Sequence, residues 1–128
     1  MPTSRSFRAY GLGLFAMVFC VNAPASLFEL FRRRMELGLD HLALLYSVYS
    51  GVIIVLLPVA GRVSDRLGRR ASVSAGLALV AAGCVTIAAC DSFAGLLVGR
   101  LMQGVAVAAM SAPTAAALAE LAPAGSPV

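Results

Sequence analysis

The sequence predicts an all-α integral membrane protein of four transmembrane helices. The first observation is composition: 60% of the 128 residues are hydrophobic and 12% are charged, where a soluble domain carries about 25% charged residues. The second is patterning. Apolar residues gather into four runs, about 9–30, 41–60, 71–90 and 93–118, each near the ~20 residues that cross a ~30 Å hydrocarbon core as a helix. The third is that the charges sit almost entirely between these runs. The formal charge of +4 comes from arginine without any lysine. Six of the ten arginines fall at one side of the spans, as a membrane protein places them, so the basic balance speaks for the bilayer and not for nucleic acid.

Residues 1–8 form a polar arm with Arg5 and Arg8, expected on the cytoplasmic side. The first span then runs without a charge from Ala9 to Phe28. A cleaved signal peptide is the competing reading, with Ala23-Pro24-Ala25 as the cleavage site. Against it, apolar character continues through Leu27, Phe28, Leu30 and Phe31. Asn22, Ser26 and Glu29 recur at helical spacing and share one face of this helix.

Glu29 to Asp40 is the expected outer loop. Its Arg32, Arg33 and Arg34 are balanced by Glu29, Glu36 and Asp40. Asp40 is positioned to N-cap the second helix, with His41 an interfacial residue at its start. Pro58 lies toward the far end of the second span and frees a carbonyl that a neighbouring helix would have to satisfy. Tyr46 and Ser50 share a face, and Tyr49 is on a neighbouring stripe.

In the third span Ser72-x-x-x-Gly76 and Ala78-x-x-x-Ala82 permit close helix approach, as does Gly95-x-x-x-Gly99 in the fourth. Asp91-Ser92 is a short turn that caps the fourth helix. Arg100, Gln103, Val107, Ser111 and Thr114 form a mostly polar face. At ~1.5 Å per residue, Arg100 lies roughly 12 Å inside the helix, near mid-membrane. An arginine there costs ~2.5–3.5 kcal/mol, so it must face protein, water or a ligand. The stripes of the first and fourth helices are expected to line one polar cavity. Cys20, Cys84 and Cys90 lie inside apolar runs with no C-x-x-C and no His/Cys cluster; neither a disulfide framework nor a metal site is indicated, and they read as small packing residues.

Between the second and third spans stands Gly61-Arg62-Val63-Ser64-Asp65-Arg66-Leu67-Gly68-Arg69-Arg70. Gly61 and Gly68 supply freedom for a tight turn, the arginines mark the cytoplasmic face, and Asp65 needs a cation or a helix N-terminus. This G-x-x-x-D-R-x-G-R-R pattern resembles the loop between helices two and three of the major facilitator superfamily of secondary transporters. Arg100-Leu101-Met102-Gln103-Gly104 resembles that family's R-x-x-Q-G in helix four, and Asn22-Ala23-Pro24 is compatible with its first helix.

The resemblance implies the N-terminal portion of that transporter fold over residues 9–120, followed by a cytoplasmic tail, 121–128. Members carry about twelve helices in two halves built of inverted repeats. The chain is therefore expected to be a fragment, a truncated gene product or one piece of a longer open reading frame of a bacterial transporter in the plasma membrane, both of its ends cytoplasmic, with the missing C-terminal helices, the bilayer and a small solute as partners. The resemblance also implies alternating-access transport, no cofactor beyond a coupling proton, and efflux in preference to uptake; an enzyme is not expected, since nothing in the sequence resembles a nucleophile, metal or phosphate-cradle constellation. It casts Gly61, Asp65, Arg66, Gly68, Arg69 and Arg70 as a cytoplasmic gating loop. Arg100, Gln103, Gly104, Asn22 and Ser26 become coupling or cavity residues. Glu120 is expected to join Asp65 and the loop arginines in a cytoplasmic charge cluster, Asp65 otherwise capping the third helix. Two alternatives differ in kind: a self-contained four-helix multidrug carrier, which would need a carboxylate in the first helix before Glu29, and a non-transporting membrane interaction protein.

Overall fold

A computed structural model describes residues 4–121, except the side chains of residues 4–10, 25, 67, 69, 112 and 115–121. Four α-helices follow one another: α1 (Ser4–Arg34), α2 (Leu39–Leu67), α3 (Arg69–Ala89) and α4 (Phe93–Leu121). Each is long and apolar enough to cross a membrane.

The helices are longer than the apolar runs, for local reasons. α1 begins within the expected arm and continues through Glu29 to Arg34. There Arg32 and Arg33 reach back one turn to Glu29 at 2.8 and 2.9 Å, and three arginines in the last turn complement the helix dipole. The outer loop shrinks to residues 35–38. Asp40 is not the N-cap of α2. That position falls to Gly38, extended at φ −71° and ψ 168°, with no side-chain cap; Asp40 sits in the first turn, where a carboxylate still favours the dipole. Ser92 does cap α4, its Oγ accepting from the Gly95 N–H at 3.3 Å.

The expected loop at residues 61–70 is almost wholly helical. Gly68 is the one residue between α2 and α3, at φ 88° and ψ 141°. Its N–H donates to the Ser64 carbonyl at 2.9 Å, and its own carbonyl accepts from Ser72 N–H at 3.1 Å. One glycine thus ends one helix and starts the next. Gly61 lies inside α2 and makes no turn, and Asp65 does not cap α3, whose N-cap is Gly68.

Contacts across the bundle give the topology. Gly76 packs on Met110, and a Cβ at Gly99 would meet Gly83 and Ile87, so α3 and α4 run antiparallel. Gly104 lies against Tyr49 and Val52, while Arg100 lies beside Tyr46, so α2 runs parallel to α4. Cys84 meets Cys20 and Gly13 faces Leu77, which sets α1 parallel to α3. The chain makes four passes, reversing direction at each of three junctions, and α4 packs on all three other helices. Of the small-residue pairs, Ser72, Gly76 and Gly99 are buried in these contacts, whereas Ala78 and Ala82 face outward.

Two apolar clusters fill the bundle. One joins Met17, Val21, Val80, Ala106 and Met110; the other joins Phe28, Leu45, Ile87 and Leu96. Ile54, Val55, Leu57, Val59 and Val63 of α2 remain exposed, an apolar face suited to lipid or to further helices. Among the described residues no side chain from another helix donates to the Ile54 carbonyl that Pro58 frees. A third helix proline, Pro113, lies within α4.

Candidate functional site

Arg100 lies between the two clusters. Among the described residues it is the largest fully buried side chain, 2% exposed, because α4 carries it into the centre of the bundle. Its Nη1 donates to the Val21 carbonyl of α1 at 3.2 Å and to Gln103 Oε1 at 3.0 Å. Its guanidinium carbon lies 4.4 Å from the Phe28 ring centroid, 5.3 Å from that of Tyr49 and 5.7 Å from that of Tyr46. Phe28 and Tyr46 meet edge to face. Such cation–π contacts are worth about 2 kcal/mol when desolvated. Among the described residues no carboxylate pairs with Arg100, and its Nε–H has no acceptor. Aromatic faces, one backbone carbonyl and the Gln103 amide oxygen hold the charge where a carboxylate commonly would.

Gln103, fully buried, links α4 to α1 and α3. Its Nε2 reaches the Cys20 carbonyl and Cys84 Sγ, both at 3.4 Å, and the Cys84 thiol donates to the same carbonyl at 3.2 Å. Cys84 is therefore more than packing. Gly83 makes room for this arrangement, since a Cβ there would lie 3.0 Å from Gln103 Cγ. Gly104 lets α4 approach α2, with Tyr49 O and Val52 3.1 Å from a notional Cβ.

Asn22 and Ser26 do not join the Arg100 site. Both are exposed, and Asn22 Nδ2 bonds the Val18 carbonyl of its own helix at 2.8 Å. α1 offers Arg100 its backbone and Phe28 instead. At the Gly68 end, Asp65, Arg66 and Arg70 are exposed, and among the described residues Asp65 makes no ion pair with Arg66 or Arg70. The side chains of Arg69 and Glu120 lie outside the described residues, and with them the expected contacts of both. At the opposite end, Arg34 pairs with Asp91 at 2.9 Å over a shallow cleft of about 450 Å³ lined also by Met35, Leu37, Ser92 and Phe93. That cleft contains none of the expected site residues.

The family model described as Major Facilitator Superfamily matches residues 10–126. The chain belongs to that superfamily. It is accordingly a multi-pass membrane protein of transporter type. An uncharacterized MFS-type transporter, YybF, of Bacillus subtilis is 31% identical over 115 residues, 90% of this chain and 28% of the relative. A triacylglyceride transporter of Mycolicibacterium smegmatis is 40% identical over 68 residues, 53% of this chain and 12% of the relative. The inner membrane transport protein YajR of Escherichia coli is 48% identical over 44 residues, 34% of this chain and 10% of the relative. The chain thus spans between 10% and 28% of the length of these relatives. No solved structure gives a significant match.

The aromatic surround was the part of the site that sequence reasoning missed. Tyr46 and Tyr49 were visible one turn apart, but their shared partner on α4 was not. A mid-span arginine beside helices whose carboxylates, Glu29, Asp40 and Asp65, all lie toward their ends was the available signal for an aromatic cage.

Proposed function

We propose that these helices form the first part of an alternating-access secondary transporter that moves a small solute, coupled to protons and directed to export, in the plasma membrane. Further helices of the kind its superfamily relatives contain complete the path, and the start of α1 and the end of α4 face the cytoplasm. The observation that carries the reading is Arg100: a permanent charge about two turns into α4 and buried in the bundle, without a carboxylate among its described neighbours, bound to the backbone of α1. A charge so placed is sensitive to any ion, proton-bearing group or solute that enters beside it. Asn22 and Ser26, exposed on α1, are suited to face the solute path, and the Asp65–Arg70 segment is suited to a cytoplasmic latch against the other half.

Arg100→Ala and Arg100→Lys in the transporter that carries these helices test the reading. In inside-out vesicles with an imposed pH gradient, both variants should insert normally. Arg100→Ala should lose gradient-driven solute accumulation while retaining solute-driven exchange. Undiminished gradient-driven accumulation by Arg100→Ala would overturn it.

A further inference from the structure

α1 contains a proline well inside its length, and the chemistry of that proline accounts for an otherwise odd cluster. Pro24 is buried and α1 remains continuous through it. Proline has no N–H, so the carbonyl four residues earlier loses its helical donor. That carbonyl belongs to Cys20. In a lipid-facing or dry environment an unpaired carbonyl costs several kcal/mol.

The Cys20 carbonyl is the group on which Cys84 Sγ of α3 and Gln103 Nε2 of α4 converge, at 3.2 and 3.4 Å. The next carbonyl, Val21, takes Arg100 Nη1 at 3.2 Å. Three side chains from two helices thus meet the turn that the proline opens. The corresponding carbonyls of the other helix prolines, Ile54 for Pro58 and Ala109 for Pro113, receive no such donor among the described residues.

We propose that Gln103 and Cys84 are positioning residues that anchor a proline hinge in α1. They supply the hydrogen bonds that Pro24 removes and thereby fix where the outer half of α1, with Asn22, Ser26 and Phe28, stands against α4. α1 can bend at this point only by exchanging these donors. Cys84 therefore matters as a donor, and serine should replace it where alanine should not. The anchor is a property of the four helices themselves and does not depend on the transport reading.

The test reads the carbonyl directly. The full chain, reconstituted in lipid, carries a 13C=18O label at the Cys20 carbonyl, and the isotope-shifted amide I band is recorded. Gln103→Met keeps the volume without a donor, and it is combined with Cys84→Ala. The band should move to higher frequency as its donors go. Cys84→Ser in place of Cys84→Ala should return part of the shift. In a Pro24→Ala background the restored N–H occupies the carbonyl, so the same substitutions should leave the band in place. A band that stays still when both donors are removed beside Pro24 overturns the proposal. So does a band that moves equally with the native proline and in the Pro24→Ala background. If the double variant does not fold, Cys84→Ala alone still decides: its shift must be present with Pro24 and absent in the Pro24→Ala background.

Discussion

The Phe28 ring of α1 covers the guanidinium of Arg100 of α4, 4.4 Å from centroid to guanidinium carbon, and both side chains are 2% exposed. The pair joins a charge that cannot leave the bundle to a face that can partly neutralise it. Two losses can be separated by substitution. Phe28→Leu keeps most of the volume and removes the π face, and should cost about 1–2 kcal/mol. Phe28→Ala also opens a cavity and should cost about 3–5 kcal/mol. Equilibrium unfolding in mixed micelles measures both. A leucine variant as stable as the native chain would mean that packing alone holds Phe28 there and that Arg100 draws nothing from the ring.

Gly68 makes a sharper prediction about the α2–α3 junction. Its φ of 88° and ψ of 141° lie in a region close to glycine-only, and nothing stands within 4 Å of a Cβ placed there. Any cost of substitution is therefore backbone strain, of about 1–3 kcal/mol. Gly68→Asn should be no better than Gly68→Ala, because asparagine relieves only the left-handed helical region and this ψ is extended. Unfolding midpoints of the two variants check it, and full rescue by asparagine would show that the junction has a different geometry.

Much of the architecture was legible in the sequence, since four apolar runs with charges between them leave little choice. Ser92 and Gly99 announced their roles by type and spacing. The loop at residues 61–70 was overestimated because arginines and aspartate suggest water-exposed coil, while nothing in them breaks a helix; only Gly68 does. The Arg100 site was half legible. Its depth required protein, water or a ligand beside it, and polar side chains on α1 were the visible candidates. The actual partners are the Val21 carbonyl, Gln103 and aromatic faces. Backbone acceptors leave no trace in residue type, and the face of α1 that meets α4 is decided by packing.

The proposed sidedness rests on the arginines and is open to direct labelling. In a cysteine-free background, single cysteines at the exposed positions Arg33 and Arg70 report the two ends of the bundle. Ser64 would be a poor probe, being only 3% exposed. With six arginines expected at the α2–α3 end and α1 start against three at the other, the positive-inside bias predicts a cytoplasmic Arg70. An impermeant maleimide added to intact cells should modify Arg33→Cys and should reach Arg70→Cys only after permeabilisation. The reverse pattern would invert the assigned orientation.

The glycines of α3 and α4 distinguish close approach from mere helix composition. At Gly99 a Cβ would stand 2.5 Å from Ile87 Cγ1 and 3.0 Å from the Gly83 carbonyl. The isoleucine could rotate away, but the carbonyl belongs to the α3 backbone and cannot without moving the helix. Gly99→Ala should therefore force α3 and α4 apart at a cost of about 1–3 kcal/mol. Gly83→Ala should do the same and in addition displace Gln103, whose Cγ lies 3.0 Å from the added methyl. Gly51, in the middle of α2, has nothing within 4 Å. There alanine meets no neighbour and gains helix propensity of about 0.8–1 kcal/mol, so Gly51→Ala should be neutral or stabilising. Unfolding of the three variants side by side gives the comparison. Should Gly99→Ala prove as harmless as Gly51→Ala, the close crossing of α3 and α4, and with it the route by which Gln103 reaches α1, would have to be abandoned.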